Sequence, residues 1–122
     1  MKDLVFVGSS LKALRSFPRR VRQDMGSALL LAQKGERSPS AKPFKISGVG
    51  GIVEIVEDHV GDTYRAVYTI RYATAVYVLH AFKKKSPRGI KTAQNDVDLI
   101  HQRLKEAQAL HEQRSRRTSE PT

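Results

Sequence analysis

The sequence predicts an α+β fold: one mostly antiparallel sheet with helices packed on one of its faces. Three observations lead there. Between residues 52 and 84, three runs rich in Val, Ile and Tyr follow one another across short links, as in a β-meander. Helical periodicities flank that block, one before it and one after. The chain has 122 residues, which suits one domain with its own core.

The expected order is β-α-α-β-β-β-α. "DLVFVG" (3–8) reads as a short first strand. "SSLKALRSFP" suits a short helix, with Ser9 or Ser10 as N-cap and Pro18 as its punctuation. Pro18 also fits the first turn of a second helix, "PRRVRQDMGSALLLAQKG", where Val21, Met25, Ala28, Leu29 and Ala32 recur at helical spacing. Gly35 is placed to follow that helix as its C′ residue. "ERSPSAKPFKISGVGG" (36–51), rich in Pro, Gly and Ser, reads as a loop. Its "GVGG" is no phosphate loop, because no Lys-Ser/Thr pair and no helix follow.

The three strands are "IVEIVED", "TYRAVYTIRY" and "AVYVLHAFKK", linked by "HVGD" and "AT". Thr92 is placed to cap a long helix from about Ala93 to Gln113, with Val97, Ile100, Leu104, Ala107 and Leu110 as its apolar stripe. One domain is therefore expected over 1–113, with 114–122 a disordered basic tail.

Composition narrows the chemistry. There is no cysteine, which excludes disulfides, thiolate nucleophiles and Cys-based zinc sites. His59, His101 and His111 show no metal-ligand spacing. No stretch approaches the roughly 20 apolar residues of a membrane helix, and the N-terminal apolar run is too short for a signal peptide. The expectation is a cytoplasmic protein with no membrane partner, metal or cofactor. Lys and Arg total 22 against 12 Asp and Glu, a net charge of +10. Such a bias implies a polyanionic partner: nucleic acid, an anionic surface or an acidic protein.

The charge is concentrated where the last strand ends. Five of the nine residues from Lys83 to Lys91 are basic and none is acidic. If Ala73 and Thr74 form a two-residue turn, Arg65 lies opposite Phe82 and Val67 opposite His80. Strand alternation then puts Tyr64, Ala66, Tyr68, Ile70, Tyr77, Leu79 and Ala81 on one side, read as core-facing, with the reverse assignment left open by Val67, Val76 and Val78 opposite. The other side carries Arg65, Val67, Thr69, Arg71, Val76, Val78, His80, Phe82 and Lys84. That side reads as an open face with a positive rim and an aromatic, suited to RNA phosphates and a stacked base. Glu54, expected opposite Val67, shares the face. A Glu near a His and an Arg can serve acid–base chemistry, or simply neutralise Arg65 as a salt link.

"GDTYRAVYTI" followed by "AVYVLHAFKKKSPRGIKTAQNDVDLIHQRLK" resembles the phage-derived, RelE/HigB-like toxins of bacterial type II toxin–antitoxin systems. The likeness is strongest over roughly residues 44–107. It implies the small RelE-like fold. It also implies a toxin that cleaves mRNA on the ribosome through the RNA's own 2′-hydroxyl, without metal. The implied partners are ribosome, mRNA and a cognate antitoxin, a helix-turn-helix DNA-binding protein with an acidic segment. Carried onto this sequence, the catalytic set is Arg65, His80 and Lys84. Lys83, Lys85, Phe82, Arg71, Arg88 and Lys91 would hold RNA. The chain departs from the family in its acidic second meander strand, with Val56 where many relatives carry a basic residue. That departure favours an alternative, a non-cleaving RNA- or protein-binding module on the same fold; a separate third reading is a gyrase-poisoning toxin.

Overall fold

The computed structural model describes residues 1–46, 48–84 and 92–119. Five strands and three helices follow in the order β1 (Asp3–Phe6), α1 (Ser10–Arg15), α2 (Arg19–Gln33), β2 (Ala41–Pro43), β3 (Ile52–His59), β4 (Asp62–Thr69), β5 (Ala75–Lys84) and α3 (Gln94–Ser119). They make an α+β fold around one sheet of order β1-β5-β4-β3-β2. β1 runs parallel to β5, and every other pair is antiparallel.

The expected order holds, with β2 added. Lys42 and Pro43 pair with Glu54 and Val53 inside the segment read as a loop. A proline is tolerated there because β2 is an edge strand.

The helices do not share a face. Leu14, Phe17, Val21, Met25 and Leu29 of the α1–α2 segment pack on Tyr64, Ala66, Tyr68, Val76 and Val78. Ile100, Leu104 and Ala107 of α3 pack on the reverse side, against Val67, Tyr77, Leu79 and Phe82. The one-face expectation fails because both faces of β4 and β5 are apolar: the run from Ala75 to Phe82 is buried throughout. A strand buried on both sides needs a layer on each.

A β-bulge explains which side chains go where. The register runs as expected from Thr63↔Lys84 to Val67↔His80, then shifts so that Tyr68 faces Val78. The bulge leaves Leu79 and His80 both on the α3 side. Beyond it the parity of β5 inverts, so Tyr77 and Leu79 join the α3 core while Val76 and Val78 join the other. The expected two-residue "AT" turn is absent, since β4 ends at Thr69 and β5 begins at Ala75.

Arg103 of α3 fastens the bulge. It is buried, donating from Nη1 to the Leu79 carbonyl at 3.0 Å and from Nη2 to Ser9 Oγ at 2.7 Å. Its guanidinium lies over Gly8, whose φ is +55°; a Cβ there would sit 2.9 Å from Arg103 Nε. Glycine is required twice at that position, by the backbone and by the contact.

α3 continues to Ser119, past the Gln113 at which a disordered tail was expected. Arg114 pairs with Asp3, which ties this last stretch to β1. Leu110, expected in the apolar stripe, is 38% exposed.

The link between β3 and β4 is tighter than expected: His59 pairs with Asp62, leaving Val60 and Gly61 as the turn. Val60 has φ +48° and is 88% exposed. A β-branched residue is strained in the left-handed region, where Asn is at home. Val60→Asn should therefore stabilise the fold by about 1 kcal/mol. An unchanged or lowered unfolding midpoint in urea would refute this.

Candidate functional site

The site grows from the end of the sheet where β4 begins and β5 finishes. Arg65 stands on the α3 side of β4, directly across from Phe82. It is buried, and its Nη1 donates to Glu54 Oε2 at 2.9 Å. Glu54, on β3, is equally buried and lies 3.7 Å from the exposed Lys42 ammonium. The salt link weighed for Glu54 thus exists. It leaves Arg65 Nε buried without a hydrogen-bond partner among the described residues. Buried guanidinium donors are normally satisfied, so an orphan N–H in a cleft wall is a place for an acceptor.

His80 faces the same side and is buried too. Its Nε2 lies 2.7 Å from Asp96 Oδ1 in the first turn of α3, and its ring stacks on Phe82 at 4.7 Å and 19°. Burial lowers its pKa, and the nearby Arg103 adds to this; the hydrogen bond and charge of Asp96 oppose the shift without cancelling it. His80 is therefore neutral near pH 7. Nε2 donates to Asp96, and Nδ1, buried without a hydrogen-bond partner among the described residues, keeps its lone pair.

That shift has a measurable consequence. The unfolded chain takes up the His80 proton near the ordinary histidine pKa, and the folded chain only at lower pH. Between the two the unfolded state binds more protons, so stability rises with pH there and is full above the ordinary range. Thermal midpoints of the wild type should fall as pH drops from 7 to 5, more steeply than those of His80→Gln. Parallel curves would remove His80 as the cause.

Lys84 ends β5 diagonally across from Arg65 on the same face. Loss of hydration lowers its pKa first, then repulsion from Arg65 and Lys42, against the pull of Glu54. Lys83 points to the other side, exposed, 3.1 Å from Asp62; that hydrogen bond raises its pKa. Phe44, Lys45, Ile46, Glu54, Arg65, Thr92 and Val97 line a cleft of about 350 Å³ beside these groups.

Arg65, His80, Phe82 and Lys84 are thus brought together as the sequence suggested, but beneath cover. The face is not open. Phe82 is buried in the α3 core, where it supports His80 and offers no platform for a base. The physical reason is α3, which lies over the face that was expected to be bare. Arg71 belongs elsewhere. It follows the far end of β4, where its stem lies over Gly51 and its Nε donates to the Gly50 carbonyl at 2.9 Å. Lys85, Arg88 and Lys91 lie outside the described residues.

Asp96 was not anticipated. An acid in a helix's first turn is ordinary, and nothing local in the sequence links it to a strand histidine 16 positions earlier. Among the described residues, no three His, Asp or Glu side chains gather where they could hold a metal ion, and no helix is long and apolar enough to cross a membrane.

A small sheet, two helices on one side, a long helix on the other and a basic, partly buried strand end make up a compact α+β fold. Residues 12–105 match the family described as phage derived protein Gp49-like (DUF891), so the chain belongs to that family. Among solved structures, it is similar to a mutant of the E. coli toxin RelE in its free state. The likeness has a TM-score of 0.56 and 20% identity over 86% of this chain and 96% of that one. No curated protein matches.

Proposed function

We propose that this protein is the toxin of a type II toxin–antitoxin pair and a ribosome-dependent mRNA endonuclease that works in the cytoplasm without a metal. The RNA's 2′-hydroxyl gives up its proton and attacks the adjacent phosphorus. The bond to the 5′-oxygen breaks, and that oxygen takes a proton. The products are a 2′,3′-cyclic phosphate and a 5′-hydroxyl end.

The observation that carries this reading is the cleft at Arg65. Its uncommitted Nε–H is a donor for a non-bridging phosphate oxygen. Lys84, its pKa lowered by lost hydration and by the nearby Arg65, is placed to balance charge on the phosphate. His80 contributes the Nδ1 lone pair, held in place by Asp96. Lys85, Arg88 and Lys91 would extend the positive path for RNA, whereas Lys83, on the other side and paired with Asp62, would not. The cognate antitoxin, a helix-turn-helix DNA-binding protein, would cover this end with an acidic segment.

One observation favours a second reading, a binding module that does not cleave. Glu54 already occupies Arg65 Nη1, and Val56, not a basic residue, pairs with Arg65 across the β3–β4 ladder. A gyrase-poisoning activity has no such support.

Induced expression of the wild type and of Lys84→Ala, with mapping of RNA 5′ ends, tests the proposal. Lys84 keeps its backbone place in the β4–β5 ladder in the variant, and its side chain forms no hydrogen bond or ion pair with another described residue, so the variant should fold normally. New ends inside translated codons, reduced about 100-fold or more by the variant, are expected. Growth arrest without new ends would point to the binding module. Equal cleavage by both chains would remove Lys84 from the site.

A further inference from the structure

The two edges of the sheet are not alike. At one edge stands β2, three residues long, with the exposed Lys42 and Pro43. A short strand with a charge and a proline resists further pairing. At the other edge stands β1, where Leu4, Val5 and Phe6 follow one another without a proline or a register shift. Its parallel register with β5 fixes which backbone groups are used. Asp3 N–H donates to the Thr74 carbonyl and Val7 N–H to the Val78 carbonyl, so Asp3, Val5 and Val7 point their backbone groups inward. Leu4 and Phe6 therefore turn theirs outward, and among the described residues no group bonds to them. Lys2, the next outward residue, is already joined to Gln33 through both its N–H and its carbonyl. The open part of this edge is Leu4 and Phe6, each with one donor and one acceptor to satisfy.

That geometry suits a second copy of the same strand. Antiparallel pairing about a two-fold axis at Val5 sets Leu4 against Phe6 of the second copy, and Phe6 against its Leu4. Each is an outward pair that exchanges both of its hydrogen bonds. Those bonds alone make a marginal association. The surfaces beside the strand supply the rest. Val5 lies on the α3 side of β1, and alternation carries Asp3 and Met1 to that side too. Met1 is a large apolar side chain and is 84% exposed. Past the other end of β1, Val7, Gly8, Ala109 and Leu110 line a groove of about 500 Å³ against α3, with Arg116 among its walls.

Antiparallel pairing brings these two features together. With Val5 set against its own copy, Asp3 of the second copy comes opposite Val7, and its Met1 runs on past Gly8 to the groove. The exposed thioether then covers apolar walls, and the Asp3 carboxylate arrives beside a wall that holds Arg116. The two ends of one strand thus complement each other. We propose that the protein forms a two-fold dimer by antiparallel pairing of β1 with β1 of a second copy, which joins two five-stranded sheets into one. The Arg65 cleft takes its walls mostly from β3, β4 and the segment after β2, toward the other edge, so both clefts stay open. The dimer is independent of what that cleft does.

The chain holds no cysteine, so one introduced thiol reports the register. Val5→Cys would face its own copy across a non-hydrogen-bonded pair, with Cα atoms about 4.5 Å apart, within reach of a disulfide. Oxidation with diamide should cross-link Val5→Cys about tenfold or more faster than Val60→Cys, whose thiol is exposed but lies at the β3–β4 turn. Sedimentation equilibrium of the wild type from about 1 to about 300 µM should show a mass rising toward twice 13.7 kDa. Leu4→Pro removes one outward N–H on an edge strand, where proline is tolerated. Leu110→Lys charges the groove at an exposed position, and so keeps the test valid if the proline variant does not fold. Each should weaken dimerisation about tenfold or more. A chain that stays monomeric throughout would overturn the proposal and leave the edge to a strand of a different protein. Equal cross-linking at the two cysteine positions, or a dimer that Leu110→Lys leaves intact, would overturn it as well, by placing the contact elsewhere.

Discussion

Arg65→Ala should lose about 3–5 kcal/mol of stability, because it strands the buried Glu54 carboxylate without its guanidinium. That is a large share of the margin of an ordinary domain. The double variant Arg65→Met/Glu54→Leu should recover most of the loss, since two apolar groups of similar volume leave no buried charge behind. Urea unfolding of the wild type, both single variants and the double variant measures the coupling directly. An Arg65→Ala chain as stable as the wild type would show that water replaces the guanidinium freely. The result bears on any growth assay. From sequence, Arg65→Ala looks like a simple loss of a phosphate contact in an intact fold. With Arg65 buried against Glu54, relief of toxicity by that variant is also what unfolding would give. Lys84→Ala is the cleaner probe of chemistry.

Arg103→Met should cost about 2–4 kcal/mol and disturb the site from a distance. The substitution leaves the Leu79 carbonyl and Ser9 Oγ without their donor. It also frees the bulge that aims His80 toward Asp96. The expected signature is a lowered unfolding midpoint together with a changed His80 titration, read from its imidazole NMR signals. A lowered midpoint with an unchanged His80 titration would separate Arg103 from the geometry of the site.

Periodicity made the meander, the two main helices and the pairing of Arg65 with Phe82 legible. All of these are local patterns or short-range registers. The inversion beyond the bulge was not legible. Tyr77, Val78 and Leu79 are all apolar enough for either core, so composition gave no sign of where the alternation would break. The same ambivalence hid the placement of α3. With both sides of β5 hydrophobic, the pattern did not say which side a helix would take. At the site, residue types were readable and their partners were not. Glu54 was within reach of a register argument. Asp96 comes from a helix whose docking no local rule specifies, and the cover it brings turned an exposed face into a cleft. Arg71 shows the opposite error, since alternation assigned it a strand face although it lies beyond the end of β4, about 20 Å from Arg65 at strand rise.

The place of β5 also sets the timetable of folding. It lies between β1 and β4 and carries contacts to α1 and α3 as well. Asp3 finds its strand partner in Ala75, and its ion pair in Arg114. During synthesis from the N-terminus, the first strand has no neighbour to join until most of the chain has emerged, and the helix that completes the cleft comes last. Pairings so distant in sequence close slowly. With this topology the cleft is assembled only once β4, β5 and α3 have all been made.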